Sequence, residues 1–222
     1  MLRTAVLALA ACLIGAPAAA QTADDELFDP GDKVLGLFVI GQIGFVPAFS
    51  ITGRGADAVI DPRGGWGTSI GLQVGYGLRP WLMPYISVDR SDHNAPDAIA
   101  QSAYSLHHIE VGARFFRHLD SRPKLVPHAD IAVGARQLFS GRAVSPITGD
   151  AGRFFLTGRA LSLGAGVLYF VKESLALDGS AYVGYGSFTR VSLPNAAQRD
   201  INTDNTLTTR LRVGVAWILG PP

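Results

Sequence analysis

Cysteine is almost missing from this sequence: the single one, Cys12, lies among the first twenty residues and none follows. Disulfides, thiol catalysis and cysteine-based metal sites are therefore excluded from residue 21 onward. Lysine is scarce as well, with Lys33, Lys124 and Lys172 set against 16 arginines. Charged residues make up only 17% of the chain, too few for the mixed Lys and Glu surface of a water-facing β-protein. Neither sign of charge dominates. Nineteen basic and 18 acidic residues leave a net charge of +1, so no basic field points to nucleic acid. A long hydrophobic run is also lacking after residue 20. The best stretch, 34–49, is interrupted by Gln42 and Pro47 and falls short of the ~20 residues a membrane helix needs. Glycine is plentiful at 26 of 222 residues, while the 13 prolines follow no period, so the composition is not collagen-like.

The first twenty residues read as an export address. MLR gives a positive start, TAVLALAACLIG an apolar stretch, and Ala18-Ala19-Ala20 a small-residue cleavage pattern with the cut before Gln21. Leu9-Ala10-Ala11-Cys12 resembles a lipobox, but cleavage there would leave apolar sequence behind it. Residues 21–32 (QTADDELFDPGD) are acidic and turn-rich, and read as a tail.

From there the chain alternates with period two, the pattern of strands with unlike faces. In WGTSIGLQVGYGL (66–78) one face carries Trp66, Thr68, Ile70, Leu72, Val74, Tyr76 and Leu78, and the other only Gly, Ser and Gln. Eight such segments are expected: 33–45, 66–78, 81–90, 104–116, 124–139, 154–171, 174–187 and 206–219. Long and short connections alternate between them, as in an up-and-down meander. The spacing Arg-Pro-x-Leu-x-Pro recurs at 79–84 and 122–127, each time opening a strand after a short turn.

The small, polar face suits a narrow lumen and the apolar face suits lipid. The expected fold is all-β, an eight-stranded antiparallel up-and-down transmembrane β-barrel. Parity places Phe45, Trp66, Phe155 and Tyr185 outward at the long-loop end, and Tyr76, Phe115, Tyr169 and Trp217 outward at the short-turn end. These read as two aromatic girdles at the membrane interfaces. Ten residues separate Trp66 from Tyr76, which at ~3.3 Å per residue and ~40° tilt spans about 25 Å. The chain then divides into a cleaved signal peptide (1–20), a periplasmic tail (21–32) and the barrel domain (33–222).

The pattern resembles the OmpA-like family of eight-stranded outer-membrane barrels, over the whole of residues 21–222. LVPHADIAVGARQLF (125–139) and LSLGAGVLYFVKESLALDGSAYVGYG (161–186) are its most family-like stretches. Arg212-Val-Gly-Val-Ala-Trp-Ile-Leu219 is similar to the C-terminal assembly signal of such barrels, although Gly220-Pro221-Pro222 follows in place of a terminal aromatic. The resemblance implies a cell outer membrane location, contact with outer-membrane lipid and lipopolysaccharide, assembly through residues Arg212 to Leu219, and a monomer.

On inward parity lie Phe38, Gln42, His108, Glu110, Arg114, His128, Asp130, Arg136, Asp178, Tyr182, Arg210 and Arg212. A turn near residue 120 is expected to bring Glu110 towards Asp130 and His128. Two His and two carboxylates suit a divalent metal. The alternative, which needs no cofactor, is a lumen plug in which Arg114, Arg136, Arg210 and Arg212 neutralise Glu110, Asp130 and Asp178. The plug is the expectation.

Catalysis is not expected. A lipid A deacylase of this size would be expected to carry a His-x-Ser pair, and no His here has Ser two residues on. His107 faces outward, and His93 reads as a solvated loop residue. The expected role is a non-enzymatic envelope-structural or surface-contact protein acting through four long outer loops. Arg54, Asp57, Asp61 and Arg63 lie on the first of these, and Arg190, Arg199, Asp200 and Asp204 on the fourth. A small channel or conduit for small or apolar solutes, and a lipid-modifying enzyme, are the alternatives.

Overall fold

The computed structural model describes residues 34–52, 66–94, 104–140, 143–144, 151–152, 155–192, 199–200 and 205–220. The expected signal peptide, the tail and most of the long connections, including Arg54, Asp57, Asp61, Arg63 and Asp204, lie outside them. Eight long strands carry the described chain: β1 (Gly36–Thr52), β2 (Gly67–Gly77), β3 (Leu82–His93), β4 (Tyr104–Phe116), β5 (Leu125–Ser140), β6 (Phe155–Lys172), β7 (Leu175–Ser192) and β8 (Asn205–Leu219). Each pairs antiparallel with its neighbours in sequence, and β8 pairs with β1 from Leu37↔Leu219 to Thr52↔Asn205. That last pairing closes the sheet into a barrel. Two short ladders add to it: Ala143–Val144 against Ala151–Gly152, and Arg199–Asp200 against Arg190 and Val191. Among the described residues no helix is long and apolar enough to cross a membrane.

The strand positions follow the alternation, but three strands run further than the pattern suggests. β1 continues to Thr52, where the alternation stops at residue 45, because the chain absorbs Pro47 in a bulge. The register with β8 jumps between Phe45 and Ala48, so the residue without an N–H never has to donate to that ladder. β7 continues to Ser192 through a second irregularity: Thr157 pairs Arg190 while Gly158 pairs Phe188. β3 continues to His93. The short connections hold the opposite end. Leu78 and Arg79 both donate to the Leu82 carbonyl, and Glu173-Ser174 alone join β6 to β7.

Burial alternates along each strand. Outward residues are large, apolar and exposed, as with Ile70 at 65% and Val213 at 60%, whereas inward residues are almost fully buried. The lumen, however, is not uniformly small and polar. At the short-turn end Phe38, Ile40, Met83, Phe116, Leu168, Phe170 and Ile218 pack into an apolar floor, with the Phe38 and Phe116 rings 6.1 Å apart. At the long-loop end Leu106, Leu138, Leu156 and Val191 form an inward row of directly paired residues. The buried arginines and carboxylates lie between these layers, while Ser91 and His93 sit at the level of the Leu106 row and beyond it. The segment 66–78, whose inward positions are all small or polar, is not representative of the barrel.

Two inward glycines are seats for tyrosine rings. Tyr182 lies opposite Gly164 and Tyr85 opposite Gly112. A Cβ at Gly164 would stand 2.5 Å from the Tyr182 ring, and one at Gly112 2.7 Å from Tyr85. Gly164→Val should therefore overpack the lumen and lower the unfolding free energy by about 1–3 kcal/mol. Urea titration of the folded barrel measures this, and an unchanged midpoint would mean the ring is not held against the glycine.

Candidate functional site

Among the described residues, the lumen between the apolar layers holds four arginines and four carboxylates, all buried: Arg114, Arg136, Arg210, Arg212, Asp89, Glu110, Asp130 and Asp178. Strand alternation delivers each to the inside, and the narrow bore of eight strands brings opposite walls within side-chain reach. The charges fall into two groups. In the first, Arg114 Nε donates to Asp130 Oδ1 at 2.8 Å and its Nη1 to Asp178 Oδ2 at 2.7 Å. The Tyr182 hydroxyl donates to Asp130 Oδ2 at 3.0 Å, and His128 Nδ1 lies at 3.0 Å from the same oxygen. In the second, Arg210 Nη2 donates to Glu110 Oε1 at 2.9 Å, and the Ser162 hydroxyl donates to that oxygen at 2.6 Å. Arg212 Nη2 lies 2.9 Å from Asp89 Oδ2. The Tyr182 ring joins the groups, with the Arg210 and Arg212 guanidinium carbons 5.4 and 4.8 Å from its centroid.

Of the residues expected to form a lumen network, Glu110, Arg114, His128, Asp130, Asp178, Arg210 and Arg212 are brought together in this way. Arg136 is not. It reaches the Thr206 hydroxyl and stands 5.9 Å from the Phe188 ring centroid, on the long-loop side of the carboxylates. Asp89 takes the place that the expectation leaves empty; its inward position was legible in the alternation Met83, Tyr85, Ser87, Asp89. The expected approach of Glu110 to Asp130 does not occur. The β4–β5 register sets Asp130 opposite Arg114 and Glu110 opposite Gly134, which separates two His-carboxylate pairs instead of merging them. His108 Nδ1 is 3.7 Å from Glu110 Oε1. Among the described residues no three His, Asp or Glu side chains are arranged to hold a metal ion.

The four arginines and four carboxylates of the lumen balance in number only when Arg136 is included, and the network is incompletely hydrogen-bonded. Gln42 Nε2, Gln73 Nε2, Asp178 Oδ1, Ser180 Oγ and both nitrogens of His108 have no protein partner within hydrogen-bonding geometry. Buried polar atoms of this kind are ordinarily satisfied by water. The arrangement can neutralise and fill a hydrated bore.

One histidine, His93, differs from the sequence reading, while His107 faces outward as expected. His93 is no loop residue: it ends β3 facing inward and buried, its Nε2 is 2.9 Å from the Ser91 hydroxyl, and its ring stacks on Tyr104 at 4.7 Å. His107 packs edge-on against Phe139 at 4.9 Å. The eight residues assigned to the girdles, Phe45, Trp66, Tyr76, Phe115, Phe155, Tyr169, Tyr185 and Trp217, all face outward and are exposed. Trp81 and Phe139 join them; Trp81 stacks on Phe115 at 6.4 Å.

No protein-family model matches the sequence, and no curated protein matches it. Among solved structures the chain is similar to Neisserial surface protein A, at 16% identity over 83% of this chain and 97% of that one, with a TM-score of 0.59. It is also similar to Ail, the attachment invasion locus protein of Yersinia pestis, at 12% identity over 83% and 99% of the two chains, TM-score 0.48. The N-terminal β-barrel domain of Pseudomonas aeruginosa OprF follows at 14% identity over 82% and 98%, TM-score 0.43. The architecture is that of the eight-stranded outer-membrane barrels, as the family resemblance implies.

Removing one half of a buried pair leaves its partner without compensation, whereas Arg136 has no carboxylate within salt-bridge distance among the described residues. Asp130→Ala should therefore lower stability by about 3–5 kcal/mol, and Arg136→Met should change it little or raise it. Urea unfolding of the two variants in the same lipid checks the contrast. Equal losses would mean that Arg136 is held by charge after all.

Proposed function

We propose that this is an integral outer-membrane barrel, non-enzymatic and non-conducting, that presents its long loops outside the cell as an envelope-structural or surface-contact protein. The observation that carries the reading is the filled bore. An apolar floor of Phe38, Phe116 and Phe170 and a belt of paired Arg and carboxylate side chains occupy the bore, which supports a closed path. An exposed apolar exterior with outward aromatics at both ends supports the membrane placement. The OmpA-like resemblance adds export through residues 1–20 and assembly through Arg212 to Leu219.

A second reading has one observation in its favour. The inward row of Leu106, Leu138, Leu156 and Val191 makes half of the long-loop mouth apolar, which would suit a conduit for apolar solutes. The apolar floor opposes it, since such a solute has no continuous way through.

Single-channel recording in planar bilayers tests the choice. The wild type should show no steady conductance, and Phe38→Ala combined with Phe116→Ala should show brief openings. Large steady conductance from the wild type would replace the plugged barrel with a channel. Trp217→Asp puts a charge on the lipid-facing side of β8, and should reduce the amount of heat-modifiable barrel recovered from outer membranes. Undiminished recovery would mean that this segment does not serve assembly.

A further inference from the structure

The charges of the lumen balance in number but not in place. Arg210 and Arg212 have Asp89 and Glu110 beside them, and Arg114 has both Asp130 and Asp178. The surplus carboxylate therefore belongs to Arg114, while Arg136 has none within salt-bridge distance among the described residues. Six residues of β5 separate Arg136 from Asp130, about 20 Å at ~3.3 Å per residue. The Arg136 side chain is fully buried, at 0% exposure. Its Nη1 donates to the Thr206 hydroxyl, whereas Nε and Nη2 have no hydrogen-bond partner among the described residues. A guanidinium stays charged. Water can accept from its N–H groups but brings no opposite charge, and a buried charge without one is costly.

The surroundings of Arg136 offer donors, not acids. Across the β4–β5 ladder it stands opposite His108, neither of whose ring nitrogens is hydrogen-bonded. On β7 the wall beside the free Nη2 is Gly184. The atoms nearest to where a Cβ would stand there are Thr208 Oγ1 at 3.2 Å, Ser162 Oγ at 3.3 Å and Arg136 Nη2 at 3.7 Å. Three strands thus point polar atoms at a residue that has no side chain, whereas at Gly164 the nearest atoms belong to a tyrosine ring. Ser162 gives its proton to Glu110, and Thr208 reaches only the Gly184 carbonyl, at 3.5 Å. The Thr206 hydroxyl accepts from Arg136 and keeps its own proton to donate. Towards the loops, the Leu106 row continues into Ser91 on β3 and Ser69 on β2, so that side of the mouth is polar.

We propose that the long-loop half of the lumen binds one small inorganic anion of single charge, of the halide class. Nε and Nη2 of Arg136 hold it, the Thr206 and Thr208 hydroxyls donate to it, and it enters past Ser69 and Ser91. One uncompensated guanidinium calls for one negative charge, and a ring of single N–H and O–H donors suits a spherical ion. A sulfate would bring two charges to one cation. The site goes beyond the closed-barrel reading and holds whether or not the bore conducts.

The test compares urea unfolding of the purified barrel in sodium chloride and in sodium gluconate at equal ionic strength. Gluconate carries the same charge but is too large for the site. In about 0.1 M chloride the folded-to-unfolded ratio of the wild type should be about tenfold higher, as for a dissociation constant of about 10 mM. Arg136→Met should be at least as stable as the wild type in gluconate and should gain nothing from chloride. Thr206→Val should cut the gain several-fold, and Arg90→Gln, on the outer face, should leave it unchanged. The line width of the chloride nuclear resonance reads binding directly: the wild type should broaden it and Arg136→Met should not. Circular dichroism and the heat-dependent gel shift establish separately that each variant is folded. Equal stability of the wild type in the two salts, or no broadening by it, would overturn the proposal and leave Arg136 to water or to a loop carboxylate. A chloride gain that survives in folded Arg136→Met, or in Thr206→Val at full size, would overturn it as well, because chloride would then act elsewhere.

Discussion

Satisfying the peptide backbone where no water can reach it is the constraint on which the rest of this structure depends. An apolar exterior suits lipid only if every N–H and C=O of the strands bonds to another strand, and an open sheet always leaves two edges unbonded. The pairing of β1 with β8 removes both edges. Closure with eight strands then dictates a narrow bore, and the pleat dictates that every second residue enters it. The lumen chemistry is the result of these geometric conditions acting on a chain that must place about half its strand residues inside.

Charges in such a bore have no bulk water, so their arrangement has to be self-neutralising. Arg114 answers Asp130 and Asp178; Arg210 answers Glu110; Arg212 answers Asp89. Arginine suits this task better than lysine because its planar fork binds two acceptors from one position. The small residues are part of the same packing. Gly112 and Gly164 admit tyrosine rings flat against the wall, and the Tyr182 hydroxyl then reaches Asp130.

The architecture was largely legible in the sequence because period-two alternation is a direct image of the pleat. Trp66 to Leu78 shows it without interruption, and the inward assignment of Glu110, Asp130, Asp178 and the arginines follows from parity alone. What parity does not contain is register. The offset between β4 and β5 depends on how residues 117–124 turn, and a shift of a few residues decides whether Glu110 meets Asp130 or Gly134. Strand ends were hidden for a different reason: Pro47 reads as a terminator, and only the bulge beside it shows that β1 continues. Asp89 and His93 obey the alternation but sit on a strand rich in Ser, Asp and Arg near its end, where composition imitates a loop.

The seam between β1 and β8 also orders events in time. Leu37 and Leu219 bond to each other although nearly the whole chain lies between them, whereas β6 and β7 meet across Glu173-Ser174. Contacts between distant residues form late, because the entropy of a long loop must be overcome first. The β6–β7 hairpin can form from local contacts, while the seam requires that all eight strands already be in place. Until that moment the growing sheet has two unbonded edges, each able to capture a strand of another chain. The journey from synthesis to closure is therefore the interval in which this protein is most exposed to misassembly, and that exposure ends with a single pairing event.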